Sequence, residues 1–417
     1  MEKSGKFRLT SLERNWILYD VGNSAFVLMV ATLIPIFFNA LAAAGGLSSV
    51  EYLAYWGYAS SAVTIITAVL SPILGTVADT KGFKKPIFIL CVFVGIVGCC
   101  AMGAVSAWLP FLVIFVIAKV GFSGSLVFYD SMLSDVTTPE RMDEVSSRGY
   151  AWGYIGSCVP FVVCLGLVLG AGSIGISQMT ALNLALLLTA AWWLLTTLPL
   201  LKSYKQLYYV EVEKHAVRQS FVRIGHTLRH LPEDKQVFWF LLAFFCYIDG
   251  VYTIIDMATA YGTALGLDTT GLLLALLVTQ IVAFPSALVF GRLSNKYPSA
   301  KLIPVCIAAY AGIAVFAFFL TRQWQFWVLA VIVGMFQGGV QALSRSHFAK
   351  IIPPEKSGEY FGLFDICGKG ASFLGTMIVS VGSQLTGSAN VGVGSLIVLF
   401  IVGFVLFRVS CRQGETA

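Results

Sequence analysis

Apolar residues run along this chain in blocks of roughly 18 to 25, separated by short stretches of charge, glycine and proline. A block of about 20 apolar residues is what one helix needs to cross the hydrocarbon of a bilayer. The pattern predicts twelve helical spans, at 16–42, 54–78, 86–107, 109–133, 149–172, 178–201, 236–262, 270–294, 301–320, 325–348, 360–385 and 389–408. The fold class is therefore an all-α membrane protein. Thr10 followed three residues later by Glu13 is a capping pattern, so the first helix starts ahead of its apolar block. The longest polar break, 202–235, divides the chain into an N-terminal half (1–201), a linker (202–235) and a C-terminal half (236–417). The linker reads equally as a short amphipathic helix on the membrane surface or as a solvated connection.

The two halves repeat one another. GTVADTKGFKK at 75–85 has its counterpart in GRLSNKYPSAK at 291–301, and Pro139 of DVTTPER has one in Pro354 of KIIPPEK. Two six-helix repeats about a shared midplane site are a transporter arrangement.

Charge refines this picture. Of the 27 Lys and Arg, 24 fall on alternate loops and the two tails, one (Arg322) falls on the remaining loops, and Lys119 and Lys369 lie within spans. Basic loops stay on the cytoplasmic side, which predicts cytoplasmic N and C termini. With 58% hydrophobic and 12% charged residues, the composition excludes an ordinary soluble domain. The net charge of +6 punctuates the spans instead of forming one basic face, so the expected surround is membrane lipid and not nucleic acid. Nine cysteines, eight of them inside apolar runs, fit neither a disulfide framework nor a zinc site. There is no GxxxxGK[ST], HExxH or GxSxG, so neither an enzyme nor a nucleotide-driven pump is expected, and no cofactor or metal. The expected assembly is a monomer.

Twelve spans in two halves, with Gly75, Asp79, Lys81, Gly82, Lys84 and Lys85 in the loop between spans 2 and 3, resemble the major facilitator superfamily and its loop motif. Within it, YDVGNSAF, VFYDSMLSDV, SRGYAWGYIG, YIDGVYTI and GGVQALSRSHFAKIIPPEKSGEYFG are similar to the vacuole effluxer branch, which includes the autophagy-related vacuolar amino-acid exporter of fungi. The resemblance implies alternating access, with spans 1, 4, 7 and 10 around a central cavity and spans 3, 6, 9 and 12 toward lipid. The fungal proteins are longer, so a cell (inner) membrane is expected here in preference to a vacuole.

An ionisable side chain inside a span is unfavourable by several kcal/mol unless it faces a cavity or a partner. Interior polar groups fall on span 1 (Asp20, Asn23), span 4 (Lys119, Asp130), span 7 (Asp249, Asp256), span 8 (Gln280), span 10 (Gln337, Gln341) and span 11 (Asp365, Lys369). Spans 3, 6, 9 and 12 carry no interior Asp, Glu, Lys or Arg. Lys119 lies about 15 Å deep and Asp249 about 20 Å from the inner surface, whereas Asp256 belongs near the outer mouth. The expected substrate site pairs Lys119 with a carboxylate and Asp249 with an ammonium, oriented by Asn23, Gln337 and Gln341. A Lys119–Asp249 bridge serving proton coupling is the competing reading.

Asp20, about one turn inside an interface marked by Trp16, joins Asp130 and Arg345 as an expected ion-coupling set or inner gate. The alternatives are a solvated helix-end acid for Asp130 and a mutual pair for Asp365 and Lys369. Gly75, Asp79, Lys81, Gly82, Lys84 and Lys85 are the expected gating loop, stronger than its repeat because Asn295 replaces the acid there. The functional expectation is a secondary active transporter of a small solute, amino acids by preference, with proton coupling. The alternatives are another organic anion or hydrophobic solute, or a non-transporting membrane sensor.

Overall fold

The computed structural model describes residues 7–211, 224–227 and 229–416, apart from the side chains of a few helical residues, 369–373 among them. The expected pair partner Lys369 and linker residues 212–223 thus lie outside the described residues. Among the described residues the chain forms long helices α1 (Ser11–Ala31, continued as Leu33–Ala44), α2 (Ser49–Ala78), α3 (Lys84–Met102), α4 (Trp108–Ser131), α5 (Met142–Leu169) and α6 (Gln178–Ser203). The second set is α7 (Lys235–Ala264), α8 (Thr269–Leu293), α9 (Ser299–Phe318), α10 (Gln323–Ile351), α11 (Ser357–Thr386) and α12 (Ile397–Thr416). Eleven segments are long and apolar enough to cross a membrane, counted over the described residues.

Local chemistry explains where the helices begin and break. The Thr10–Glu13 capping box is present, with the Thr10 amide donating to Glu13 Oε2 at 2.7 Å. The first helix breaks at Thr32, three residues ahead of Pro35, whose ring cannot follow the carbonyl one turn before it. The last span starts later than the apolar run suggests. Gly387, with φ 68°, ends α11, and a short helix Ala389–Gly394 intervenes before α12. Conversely, α5 begins at Met142, seven residues ahead of its apolar block, because its polar first turn is buried against the other half.

Exposed apolar stripes mark the outer faces of α3 (Ile89, Leu90, Phe93, Val97), α6 (Leu184, Leu188, Leu195), α9 (Val305, Val315) and α12 (Val398, Ile401, Val405). The halves meet where α2 packs on α11 and α5 packs on α8 and α10. The α2–α3, α4–α5, α6–α7 and α10–α11 connections gather at one end of the bundle. There Lys84 touches Asp135 and Ser357, and Asp135 accepts from the amides of Leu207 and Tyr208. We call this the basic end, since these connections carry most of the Lys and Arg.

Candidate functional site

Arg345, on α10 of the C-terminal half and 2% exposed, reaches into the N-terminal half. Its Nη1 donates to Asp130 Oδ1 at 2.9 Å and lies 3.7 Å from Asp20 Oδ2. Nε and Nη2 donate to the Ser146 hydroxyl and carbonyl, at 2.9 and 3.0 Å. The flat guanidinium lies over Trp16 (4.7 Å) and Tyr150 (4.3 Å), which give a desolvated cation a π surface where water is excluded. Asn23 is turned toward Asp20, its Nδ2 donating to Asp20 Oδ1 at 3.4 Å and to the Tyr19 carbonyl at 3.1 Å. Asp20 Oδ2 is buried without a hydrogen-bond donor. One guanidinium thus serves two carboxylates, and the cluster has a surplus negative charge unless a proton joins it.

Trp16 corrects the sequence reading. It was expected at the membrane interface but is 0% exposed, donating Nε1–H to the Tyr129 carbonyl at 3.0 Å and stacking on that ring at 4.3 Å. A fully buried indole, packed against a tyrosine ring and a cation, has no surface left for the interface.

The loop motif forms a second cross-half contact at the same end. Gly75 and Gly358 bring α2 and α11 backbone to backbone; a Cβ on Gly75 would lie 2.1 Å from the Gly358 carbonyl oxygen. Asp79 then accepts from the Gly358 and Glu359 amides, at 2.7 and 2.8 Å, where the first turn of a helix presents unpaired donors. Burial pushes the Asp79 carboxyl up to about 7, against the opposing pull of Lys84 and the two amides. Lys84, fully buried, sits 3.7 Å from Asp79, 3.5 Å from Asp135 and donates to Ser357 Oγ at 2.8 Å. Gly82 turns the loop at φ 80°, a conformation glycine adopts without strain. Lys81 is exposed, over the Tyr209 ring and 3.7 Å from Glu211, and Lys85 reaches the Tyr204 carbonyl at 3.5 Å.

Further bonds complete the seal. Ser346 and Lys350 both reach Asp143, at 2.6 Å each; Ser146 donates to the Ala342 carbonyl at 2.8 Å; Asn295 donates to Glu144 at 2.7 Å. The repeat of the loop motif therefore also crosses between the halves, through an amide in place of an acid. Deeper in, Ser71 donates to Asp365 at 2.7 Å and Tyr154 to Gln341 at 3.1 Å. None of these contacts lies farther than Tyr154, roughly 18 Å along α5, so the structure is closed at its basic end.

Beyond the seal lies the region expected to hold solute. Lys119, half-buried on α4, points over Phe122 with Nζ 4.7 Å from the ring centre. Asp256 of α7, in the other half, is exposed. Asp249 is placed differently from the expectation. It is 0% exposed, accepting from the Gly375 amide (2.8 Å) and Thr253 (3.3 Å) in the seam between α7 and α11. Gly375 leaves no room for a side chain there, which is what admits the carboxylate. Gln337 (5% exposed) lines an apolar cavity between α7, α8 and α10 with Met257, Leu276, Gln280 and Phe326, and its Oε1 has no hydrogen-bond partner.

Sequence reading passed over Ser146, Tyr150, Asp143 and Asp135. An aromatic in a span, as Tyr150 is, carries no charge signal, and Ser146 and the two acids sat in segments read as loops.

Comparison with known proteins agrees with this architecture. The family described as vacuole effluxer Atg22 like matches residues 11–416. An uncharacterized MFS-type transporter of Bacillus subtilis, YxiO, is 42% identical over 98% of this chain and 97% of its own length. Autophagy-related protein 22 of Coccidioides immitis is 25% identical over 65% of this chain, which spans about half (51%) of that fungal protein. Among solved structures, the human organic anion transporter MFSD10 superposes with a TM-score of 0.72 at 14% identity, covering 95% of this chain and 98% of its own. FucP in its outward conformation gives 0.71 at 16% identity, covering 96% and 97%. At such identities the likeness shows the fold alone.

Proposed function

Since this chain belongs to the vacuole effluxer Atg22-like family of multi-pass major-facilitator transporters, we propose that it carries amino acids by alternating access, coupled to protons. The observation that carries the amino-acid reading is the placement of opposite charges on opposite halves, the half-buried Lys119 on α4 and the exposed Asp256 on α7. Opposed charges across a cavity suit a zwitterion, with Lys119 toward its carboxylate and Asp256, in place of the enclosed Asp249, toward its ammonium. Gln337 offers an amide from the wall of the apolar cavity, which has room for a side chain; Gln341 is the second amide in this reading.

The proton reading rests on Arg345, Asp20 and Asp130. Closed at the basic end, the two acids share one cation. When the halves rock apart Arg345 leaves with α10, and the acids then hold two negative charges in a partly apolar site. Taking up a proton offsets that charge, so proton binding and opening are linked. On the positive-inside rule the basic end is cytoplasmic, and on that reading the closed arrangement is the cytoplasm-closed state of the transporter; twelve spans in two halves, a cell-membrane location and a monomer belong to the same proposal.

Proteoliposomes loaded with individual radiolabelled amino acids test this reading. We expect flux of a subset above empty liposomes, accelerated by a pH gradient, and abolished by Lys119→Gln and by Asp256→Asn in folded protein. Equal flux with and without the protein for all twenty would overturn the amino-acid reading. Flux indifferent to a pH gradient would overturn the coupling.

A further inference from the structure

The segment that leaves α6, residues 204–210, lies across the latch at the basic end, and nothing in the proposed solute cycle uses it. Tyr204, 2% exposed, donates its hydroxyl to Asp135 Oδ2 at 2.6 Å. The amides of Leu207 and Tyr208 donate to Oδ1 of the same carboxylate, at 3.0 and 2.9 Å. Gln206 clips the α2–α3 turn from both sides: its Nε2 donates to the Ala78 carbonyl at 3.1 Å, and its Oε1 accepts from the Gly82 amide at 3.0 Å. Val210 completes the attachment in a parallel bridge, donating to the Asp79 carbonyl (2.8 Å) and accepting from the Lys81 amide (3.2 Å).

Asp135 joins these contacts to the gate. Its Oδ2 faces Lys84, which crosses to Ser357, while the backbone that Val210 holds is that of Asp79 itself. Asp135 is 3% exposed, and a buried carboxylate is tolerated only while its lone pairs are filled. Residues 204–208 supply three of its donors. Without them, the single Lys84 ammonium would have to satisfy Asp135 and Asp79 together and would be drawn away from Ser357.

We propose that residues 204–210 are a strap whose docking positions Asp79 and Lys84 for their contact with α11. Tyr204, Gln206 and Asp135 are then positioning residues for closure: none touches solute, and each acts through the latch. The strap belongs to the connection between the halves, so the linker governs the gate through it. This rests on the alternating-access reading and not on the choice of solute.

Amide hydrogen exchange on the full-length protein in detergent, without solute, tests the strap. Tyr204→Phe removes one donor from Asp135 and keeps the ring; Gln206→Ala unclips the turn; Leu207→Ala, at a side chain 60% exposed, is the control. For the first two we expect exchange to rise about tenfold at 79–85 and also at 358–362, in the opposite half, as befits loss of one hydrogen bond to a charged group in Tyr204→Phe and of two neutral ones in Gln206→Ala. The control should match the parent protein. A rise confined to 79–85 and 133–137 would make the segment a local brace and overturn the proposal, as would no rise at all. Neither result bears on amino-acid flux, so failure here is distinguishable from failure of the transport reading.

Discussion

Gly75→Ala is the sharpest probe of the closed end, because the added methyl meets backbone and not a movable side chain. The new Cβ would lie 2.1 Å from the Gly358 carbonyl oxygen and 2.7 Å from its carbon. A carbon and a carbonyl oxygen come no closer than about 3.3 Å, so α2 and α11 must part by about 1 Å. The Asp79 bonds to the Gly358 and Glu359 amides, now 2.7 and 2.8 Å, would stretch to about 3.7 Å, beyond hydrogen-bonding range. Hydrogen bonds to a charged group are worth about 1.5–3 kcal/mol each, so the closed form loses about 3–6 kcal/mol relative to an open form in which the helices are apart. At about 1.4 kcal/mol per tenfold, closure is disfavoured by roughly 10²–10⁴. Pulsed dipolar spectroscopy between spin labels at exposed Phe83 and Tyr297 reads this as a shift to longer distances. Gly166→Ala, with no atom within 4 Å of the added Cβ, should leave the distribution unchanged. An unshifted distribution in well-folded Gly75→Ala protein would refute the claim that this backbone contact fixes the closed end.

Three further outcomes follow from the same geometry. The Asp79 carboxyl sits near 7 in the closed form against about 3.9 when hydrated, so proton binding favours closure: the contribution is fully present below about pH 4 and lost as pH rises through about 7. The label distance should therefore shorten from pH 8 to pH 5, and Asp79→Asn should flatten that response. Arg345→Lys keeps the charge but cannot hold Ser146 and Asp130 at once; transport should fall at least about tenfold with an altered pH profile, while Lys-for-Arg equivalence in flux would show that the fork is dispensable. Gly375→Ala would push a Cβ to 2.1 Å from Thr253 Oγ1 and 2.6 Å from Asp249 Oδ1, lowering stability by about 1–3 kcal/mol in thermal melts without moving the gate labels.

The spans were legible because a bilayer imposes one length and one composition on every helix that crosses it. Their ends were less so. Met142–Arg148 of α5 is polar and reads as a loop, yet it is helix buried against α8 and α10, a partner that periodicity does not reveal. Asp20, Asp130 and Arg345 could be grouped from sequence because isolated charges in spans are few, and the structure brings these three together. Asp249 and Asp256 could not be told apart: seven residues separate them, about two turns, so both project from nearly the same side of α7. What separates them is Gly375 on α11, whose missing side chain makes room for one of the two. The contacts of Asp135 were out of reach, because two of its four partners are backbone amides, which any residue supplies, and all but Lys84 come from a segment about 70 residues away.

Trp16 carries a consequence of another kind. Its indole touches both the Tyr129 ring and the Arg345 guanidinium, with Nε1–H held by a carbonyl. When α10 withdraws, the cation leaves and water replaces it, so the emission of Trp16 should move to the red and become accessible to iodide. With the other eight tryptophans replaced, the chain would hold a native fluorophore at its gate, able to follow turnover in real time without any attached dye.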